Sequence, residues 1–245
     1  MTAKGLGGTD QTWERLARKD PYYWAILSDP AKRSGGWNES EFFASGANEA
    51  AALMQYIEGL APGLARERAL DFGCGVGRVT MPLAAHFARV TGVDVSPTMI
   101  EAARRYAGGD RRPAGACDYL VNTGTKLDDL DDASFDLVYS SFTLQHLPKA
   151  AALRYVAEFV RVLRPGGLVV FQLPARRRPS AKARAGGLVP RSLRAKRHSG
   201  IEMNGVLRGD VLAALALAGG EVRDIQRDSS AGPEWESYRY AAVKR

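Results

Sequence analysis

The chain has 245 residues, a formal net charge of +7 and a pI near 9.5. Hydrophobic residues make up 45% and charged residues 25%, which is typical of a globular protein and excludes a disordered chain. It contains no run of about 18–20 apolar residues, and its N-terminus lacks an apolar signal core, so we expect a cytoplasmic protein without membrane attachment. The two cysteines, Cys74 and Cys117, are too few for a disulfide framework.

The first quarter of the chain reads as helical. Apolar residues between positions 10 and 60 recur at helical spacing, with a loop at Ser34-Gly35-Gly36 and an end at Pro62-Gly63. We therefore predict an N-terminal helical cap over residues 1–62. Three of its aromatic residues could wall a substrate pocket, although plain packing on the sheet is the alternative for each: Tyr22, Trp24 and Trp37.

From Arg68 onward, short apolar strands alternate with helices. The predicted elements are, in order, strand 69–72, helix 79–87, strand 90–94, helix 97–107, strands 117–121 and 135–140, helix 150–163, strand 168–173, helix 208–218, and strands 221–227 and 237–243. Repeated strand–helix–strand units predict a doubly wound parallel α/β sheet over residues 63–245. No helix separates the last two strands, so we expect them to form an antiparallel hairpin at one edge.

A glycine-rich turn follows the first strand, in Asp71-Phe72-Gly73-Cys74-Gly75-Val76-Gly77. Such a turn directs backbone N–H groups at a ligand, and Asp94, about 20 residues further on, can accept both hydroxyls of a ribose. This pattern alone indicates a nucleoside cofactor and leaves NAD open. Arg78 stands where the dinucleotide fingerprint has glycine, and Asp71 would repel a pyrophosphate but attract a cationic aminoacyl group.

Four motifs carry a family resemblance. Leu70-Asp71-Phe72-Gly73-Cys74-Gly75-Val76-Gly77-Arg78 resembles the first motif of class I S-adenosylmethionine-dependent methyltransferases, and Val93-Asp94-Val95-Ser96 resembles their ribose-binding motif. Residues 134–140 and 163–167 are similar to the family's fourth-strand motif and fifth-strand entry, in the family's order. The resemblance implies a Rossmann-like seven-stranded sheet with its last strand antiparallel, and S-adenosyl-L-methionine as cofactor.

The resemblance also implies a cofactor site. We expect its residues to be Asp71, Gly73, Cys74, Gly75, Gly77, Arg78, Asp94, Val95, Ser96, Met99, Asn122, Thr123 and Ser140. One departure concerns the adenine, because many members carry an acidic residue after the third strand, where this chain has Asn122-Thr123-Gly124. Asp118 is the rival for that role, unless it points to solvent.

Methyl transfer needs alignment and, for many acceptors, removal of a proton, but no metal. His146 follows the fourth strand at the edge where open α/β sheets bind ligands, so it is the candidate general base. The alternative is a histidine at a helix start that only bonds to the backbone. Phe142, Gln145 and Asn204 are further candidates for substrate contact, the last within a basic insertion at 174–206 that can act as a lid.

These features favour methylation of an O or N atom of a small metabolite. The N- and C-terminal stretches also resemble bacterial methyltransferases, some of them from secondary metabolism. An RNA methyltransferase is the alternative, because arginines and lysines concentrate in segment 174–198 and a basic patch can follow phosphates. That segment has no interleaved aromatic residues for base stacking, which favours a solvated loop. A third class would use the cofactor only as a scaffold, for example in a cyclisation.

Overall fold

The computed structural model describes residues 8–26, 36–109, 116–178 and 201–245. In these ranges one sheet has the order β3-β2-β1-β4-β5-β7-β6. Its strands are β1 (Arg68–Phe72), β2 (Arg89–Asp94), β3 (Ala116–Val121), β4 (Phe135–Ser140), β5 (Leu163–Arg177), β6 (Gly220–Asp228) and β7 (Trp235–Lys244). Strands β1 to β5 pair in parallel, and β7 runs antiparallel to β5 and β6. The predicted seven-stranded sheet with an antiparallel last strand is confirmed.

Helices cover both faces of this sheet. They are α1 (Thr9–Ala17), α2 (Pro21–Ile26), α3 (Glu39–Leu60), α4 (Thr80–Leu83), α5 (Pro97–Gly108), α6 (Lys149–Val162) and α7 (Arg208–Leu217). Successive strand residues point to opposite faces. Leu70 and Val138 therefore pack with α6 and α7, whereas their neighbours Ala69 and Leu137 pack with α3.

Helix α5 begins at Pro97, where the sequence predicts a helix start. Ser96 is its N-cap, and the Ser96 Oγ atom accepts a hydrogen bond from the Met99 N–H at 3.2 Å. Pro97 occupies the first helical position, where a missing N–H costs nothing. This start places Ser96 and Met99 beside the end of β2.

Two predicted boundaries are wrong. The helix predicted at 79–87 spans only Thr80–Leu83, because the next N–H groups, those of Ala85 and His86, donate to carbonyls three residues earlier, at Pro82 and Leu83, and the chain continues in turns. Strand β5 begins at Leu163, five residues earlier than predicted. Leu163 already pairs with Phe135, and the pairing register then shifts before Leu168.

The N-terminal helices do not form a separate layer. Helix α3 belongs to the layer that covers the sheet, and α1 and α2 pack on Val76, Met81 and Met99 around the glycine-rich turn. The division into a cap at 1–62 and a domain at 63–245 stays a prediction, and most of the predicted loop at Ser34-Gly35-Gly36 lies outside the described residues. Among the helices in the described ranges, none has both the length and the hydropathy that a bilayer crossing requires.

Candidate cofactor and catalytic site

The glycine-rich turn leaves β1 with a conformation that requires glycine. Gly73 has φ +80°, and a Cβ atom there would lie 1.9 Å from Thr143 Oγ1. The Gly73 N–H donates to the Val93 carbonyl at 2.7 Å, which fixes the turn to β2. The loop therefore forms a cradle that a larger side chain would fill.

Asp94 organises this cradle from the end of β2. Its carboxylate accepts hydrogen bonds from the Gly75 N–H at 2.9 Å and from the Ser96 N–H at 2.9 Å. Burial raises the pKa of the Asp94 carboxyl above its ordinary value of 3.8, and the two N–H donors oppose that rise. Asp94 thus holds the turn and faces the adjoining cleft with the same group.

The cleft has a volume of about 800 Å³, part of it open to solvent, and half of the predicted site residues line it. Predicted residues that line it are Trp24, Gly73, Gly75, Asp94, Val95, Ser96, Met99, Asn122, Phe142 and His146. The lining residues outside the predicted set of site residues are Thr9, Trp13, Phe72, Val93, Ser141, Thr143, Leu147 and Tyr155. Phe142 has φ 59°, which is rare outside glycine, and such strain is concentrated at functional sites.

A smaller cavity of about 330 Å³ lies behind the turn, and the predicted residues Asp71, Cys74 and Arg78 line it. Burial raises the pKa of the Asp71 carboxyl to about 7, although the Thr80 hydroxyl donates to it at 2.6 Å. Glu49, from α3, also lines this cavity and was not predicted. It accepts from Arg78 Nη2 at 2.6 Å and from the Tyr139 hydroxyl at 2.7 Å. A cationic group here would meet Glu49 and Asp71, and its charge would favour the ionised form of Asp71. Among the described lining residues, Arg78 is the one cation.

His146 lies in a 3₁₀ turn, Leu144–His146, beyond β4. Its Nδ1 atom is 3.1 Å from the Glu202 carbonyl oxygen, and its ring meets the Trp13 ring edge to face at a centroid distance of 4.9 Å. A carbonyl oxygen can only accept, so Nδ1 carries the proton and the neutral ring has its lone pair on Nε2. His146 and Trp13 also line an outer cavity of about 690 Å³, together with Asn204.

Six predicted site residues line none of these three cavities: Gly77, Thr123, Ser140, Tyr22, Trp37 and Gln145. The Ser140 hydroxyl donates to the Phe72 carbonyl, and Thr123 is exposed. The Tyr22 hydroxyl donates to Glu39, and Trp37 packs against Phe42, so the structure places both rings in an aromatic cluster between the N-terminal helices and α5. Their roles in binding stay predictions.

The amide of Asn122, the predicted adenine neighbour, organises its own turn. Its oxygen accepts from the Gly124 N–H at 3.0 Å, and its nitrogen donates to the Lys126 carbonyl at 2.9 Å. The rival, Asp118, is half exposed on β3 and forms an ion pair with Arg89 at 2.5 Å, away from the cleft lining.

In the part of the basic segment 174–198 that the structure describes, two arginines form ion pairs with glutamates. Arg176 bonds Glu236 at 2.7 Å, and Arg177 forms an ion pair with Glu234. Residues 179–198, which hold the rest of the segment, lie outside the described residues. These two arginines therefore contribute little net charge toward a phosphate backbone.

Glu14 connects α1 to α5 beside the cleft. It accepts from Ser96 Oγ at 2.6 Å and from Thr98 Oγ1 at 2.6 Å, and Arg18 donates to it at 2.8 Å. Burial opposes ionisation, but these hydrogen bonds outweigh it and lower the pKa of Glu14 from 4.5 to about 2. Because α1 carries Thr9 and Trp13 into the cleft, Glu14 helps to hold one wall of the site.

We expect Glu14→Gln to lower the free energy of unfolding by about 1–2 kcal/mol at pH 6, the value that remains after solvent screening. A lowered pKa stabilises the fold above the ordinary pKa, so the gap between variant and wild type should shrink as the pH falls from 4.5 toward 2. Urea unfolding at pH 6 and pH 3 measures it. Glu101→Gln is the control, because Glu101 is exposed on α5, and its free energy of unfolding should equal that of the wild type. A stability difference between Glu14→Gln and wild type that does not change with pH would contradict the prediction.

The sequence of this chain is similar to those of known methyltransferases. Residues 70–171 match the family model described as a methyltransferase domain. An S-adenosyl-L-methionine-dependent Diels-Alderase of Talaromyces variabilis is 39% identical over 120 residues, 49% of this chain and 40% of that protein. A ubiquinone biosynthesis O-methyltransferase of Idiomarina loihiensis is 34% identical over 116 residues, 47% of this chain and 46% of that protein. Each match thus spans less than half of the relative.

A solved structure extends the likeness to the whole fold. The magnesium protoporphyrin IX methyltransferase of Synechocystis superposes with a TM-score of 0.65 over 96% of this chain and 100% of that chain, at 19% sequence identity. The matched domain contains the glycine-rich turn, Asp94 and His146, the same residues that the cleft brings together. Residues 70–171 thus form a methyltransferase domain, and the chain has the fold of class I S-adenosylmethionine-dependent methyltransferases.

Proposed function

We propose that the chain binds S-adenosyl-L-methionine in the cleft and methylates an O or N atom of a small metabolite, with His146 as general base. The observation that carries this proposal is that one cavity of about 800 Å³ is lined by Gly73, Asp94 and His146. Bound there, the cofactor supplies an activated methyl group. The chain's own residues have to hold it, align the acceptor and remove a proton.

The residues divide this work by their chemistry. The Asp94 carboxylate accepts hydrogen bonds from the ribose hydroxyls, and the turn at Gly73 lets the backbone approach the cofactor closely. Asp71, with a pKa of about 7, and Glu49 attract the cationic amino group of the aminoacyl end. The aromatic residues Trp13 and Trp24 wall the acceptor side, so we infer an acceptor with an apolar body.

His146 removes the acceptor proton at Nε2, and for this the acceptor takes the place of the Gln145 amide N–H, which lies 3.2 Å from that atom. The hydrogen bond from Nδ1 to the Glu202 carbonyl keeps the lone pair on Nε2 and fixes the ring. His146 lines both the cofactor cleft and the outer cavity, so an acceptor bound in either is beside this residue. An origin in bacterial secondary metabolism is part of the proposal and is supported only by the resemblance of the terminal stretches.

A cyclisation without methyl transfer is the second candidate. It is favoured by the 39% identity to a Diels-Alderase that depends on S-adenosyl-L-methionine. In that case the cofactor would shape the pocket, and Trp13, Trp24 and Phe142 would hold an apolar polyene while His146 would not accept a proton. An RNA methyltransferase has less support, because Arg176 and Arg177 are already paired with glutamates.

The test measures binding and turnover separately. Calorimetry with S-adenosylhomocysteine tests the cofactor site, and incubation with methyl-labelled S-adenosyl-L-methionine and a panel of phenols, catechols, carboxylic acids and amines tests transfer. We expect His146→Gln to lower kcat on any accepted substrate by about 10²–10⁴-fold and to change the Kd for S-adenosylhomocysteine less than about threefold.

His86→Gln is the matched control, because His86 is exposed in the turns after α4. Full turnover by His146→Gln would show that alignment alone suffices and would remove the base. Conversion of a polyene with no release of S-adenosylhomocysteine would favour the cyclase. Failure to bind S-adenosylhomocysteine would overturn both functions.

A further inference from the structure

A chain of buried side-chain hydrogen bonds leads from His146 into the sheet. Gln145 Nε2 lies 3.2 Å from His146 Nε2, and Gln172 Nε2 lies 3.4 Å from Gln145 Oε1 and 2.7 Å from Ser237 Oγ. Gln145, Gln172 and Ser237 are each 3% exposed. Gln172 is the one polar side chain in the stretch 168–175 of β5, where an apolar residue would be ordinary.

The directions of these hydrogen bonds follow from the Glu202 carbonyl. It can only accept, so His146 donates from Nδ1, and Nε2 of the neutral ring must accept from the Gln145 amide N–H. Gln145 Oε1 then accepts from Gln172, which also donates to Ser237. The result is that Gln172 Oε1 is buried without a hydrogen-bond partner.

Protonation of His146 requires the opposite arrangement. Nε2 would then carry a proton and need an acceptor, which Gln145 supplies if its amide rotates by half a turn. The nitrogen of Gln145 would face Gln172, whose amide must rotate as well to present Oε1. The Ser237 hydroxyl can turn and donate to the same oxygen. Each arrangement leaves one amide atom of Gln172 unpaired, so the number of hydrogen bonds favours neither.

We propose that Gln172 and Ser237 are positioning residues that act through Gln145. Through Gln145 they stabilise the tautomer of neutral His146 that carries its proton on Nδ1. When His146 is protonated, rotation of both amides presents an oxygen that accepts a hydrogen bond from the Nε2–H group. The proposal deepens the role of His146 and rests on the proposed function for its use in catalysis. Other titratable groups line the two cavities at His146; among the described residues they are Asp94, Tyr155 and Glu202.

The test reads His146 directly by long-range ¹H–¹⁵N NMR of the folded chain labelled at histidine nitrogens. Only three histidines are present, at 86, 146 and 198, and His146→Gln assigns the signals. In the wild type we expect the neutral ring to carry its proton on Nδ1, whereas a solvated histidine prefers Nε2. This measurement needs neither substrate nor turnover.

Variants then test the coupling. Gln172→Glu offers only acceptors, so Gln145 is held in the rotated state and the titration midpoint of His146 should rise by about one pH unit or more, a tenfold gain in proton affinity. Gln172→Leu cannot accept from a rotated Gln145, so the midpoint should fall below that of the wild type. Ser237→Ala should lower it less. Gln226→Leu is the control, because the Gln226 amide on β6 accepts a hydrogen bond from Arg239. This variant should leave the tautomer and the titration midpoint of His146 unchanged.

Two results would contradict the proposed role of Gln172 and Ser237. One is a wild-type neutral ring with its proton on Nε2; the other is an unchanged midpoint and tautomer in both Gln172→Glu and Ser237→Ala. Should the charged variant not fold, the wild-type tautomer and Ser237→Ala decide. Turnover that survives His146→Gln would remove the base role and leave these NMR results intact, so the two proposals fail independently.

Discussion

Replacing Asp94 with alanine is expected to weaken binding of S-adenosylhomocysteine by about 100–1000-fold. Two charge-assisted hydrogen bonds to the ribose, at about 1.5–3 kcal/mol each, would be lost, with some compensation by water. The same carboxylate accepts from the Gly75 and Ser96 N–H groups, so its removal also loosens the turn. Isothermal titration calorimetry of the purified variant measures the change.

The amide variant separates these two effects. Asp94→Asn keeps the shape and one acceptor oxygen, so we expect a loss of about tenfold, mainly from the missing charge on the ribose side. Asp118→Ala, which removes a half-exposed carboxylate on the neighbouring strand β3, is the control and should bind as the wild type does. Binding within threefold of the wild type in Asp94→Ala would show that the ribose lies elsewhere.

The sequence was sufficient where the site is built from contiguous backbone. The turn from Gly73 to Gly77 and the capped start of α5 are local, and their chemistry is visible in glycine, serine and proline spacing. Asp94 was equally visible, because parallel strands bring successive strand ends to one edge of the sheet. These features required no knowledge of long-range packing.

Residues that approach the turn from far along the chain could not be predicted in this way. Glu14, Trp13 and Glu49 lie on ordinary helices, and their partners Ser96, His146 and Arg78 are separated from them by 82, 133 and 29 positions. Helical periodicity says which face of a helix is buried but not which group it meets. Tyr22 and Trp37 show that an aromatic residue near a site can also pack in a cluster, which the sequence pattern does not distinguish from lining a pocket.

Gly46 of α3 is required by a close contact with another segment of the chain, the backbone at Arg78. It sits within α3, where alanine would favour the helix by about 1 kcal/mol. A Cβ atom there, however, would lie 2.0 Å from the carbonyl oxygen of Arg78. Backbone cannot move aside as a flexible side chain does, so α3 or the glycine-rich turn must shift.

We expect Gly46→Ala to lower the free energy of unfolding by about 2–4 kcal/mol, the cost of overpacking less the gain in helix propensity. Gly59 provides the matched control in the same helix, because a Cβ atom there meets nothing within 4 Å. Gly59→Ala should therefore stabilise the chain by about 0.5–1 kcal/mol. Urea unfolding of both variants at one pH gives opposite signs if the close approach is real, and equal stabilisation would contradict it.

Binding distinguishes a local shift from a general loss of stability. Movement of Arg78 would disturb its hydrogen bond to Glu49, at 2.6 Å, and with it the cavity that holds Asp71. At temperatures where Gly46→Ala is fully folded, we expect its affinity for S-adenosylhomocysteine to fall about tenfold or more, because the turn is displaced from Asp94. Gly59→Ala should bind unchanged, since the exposed end of α3 transmits nothing to the turn.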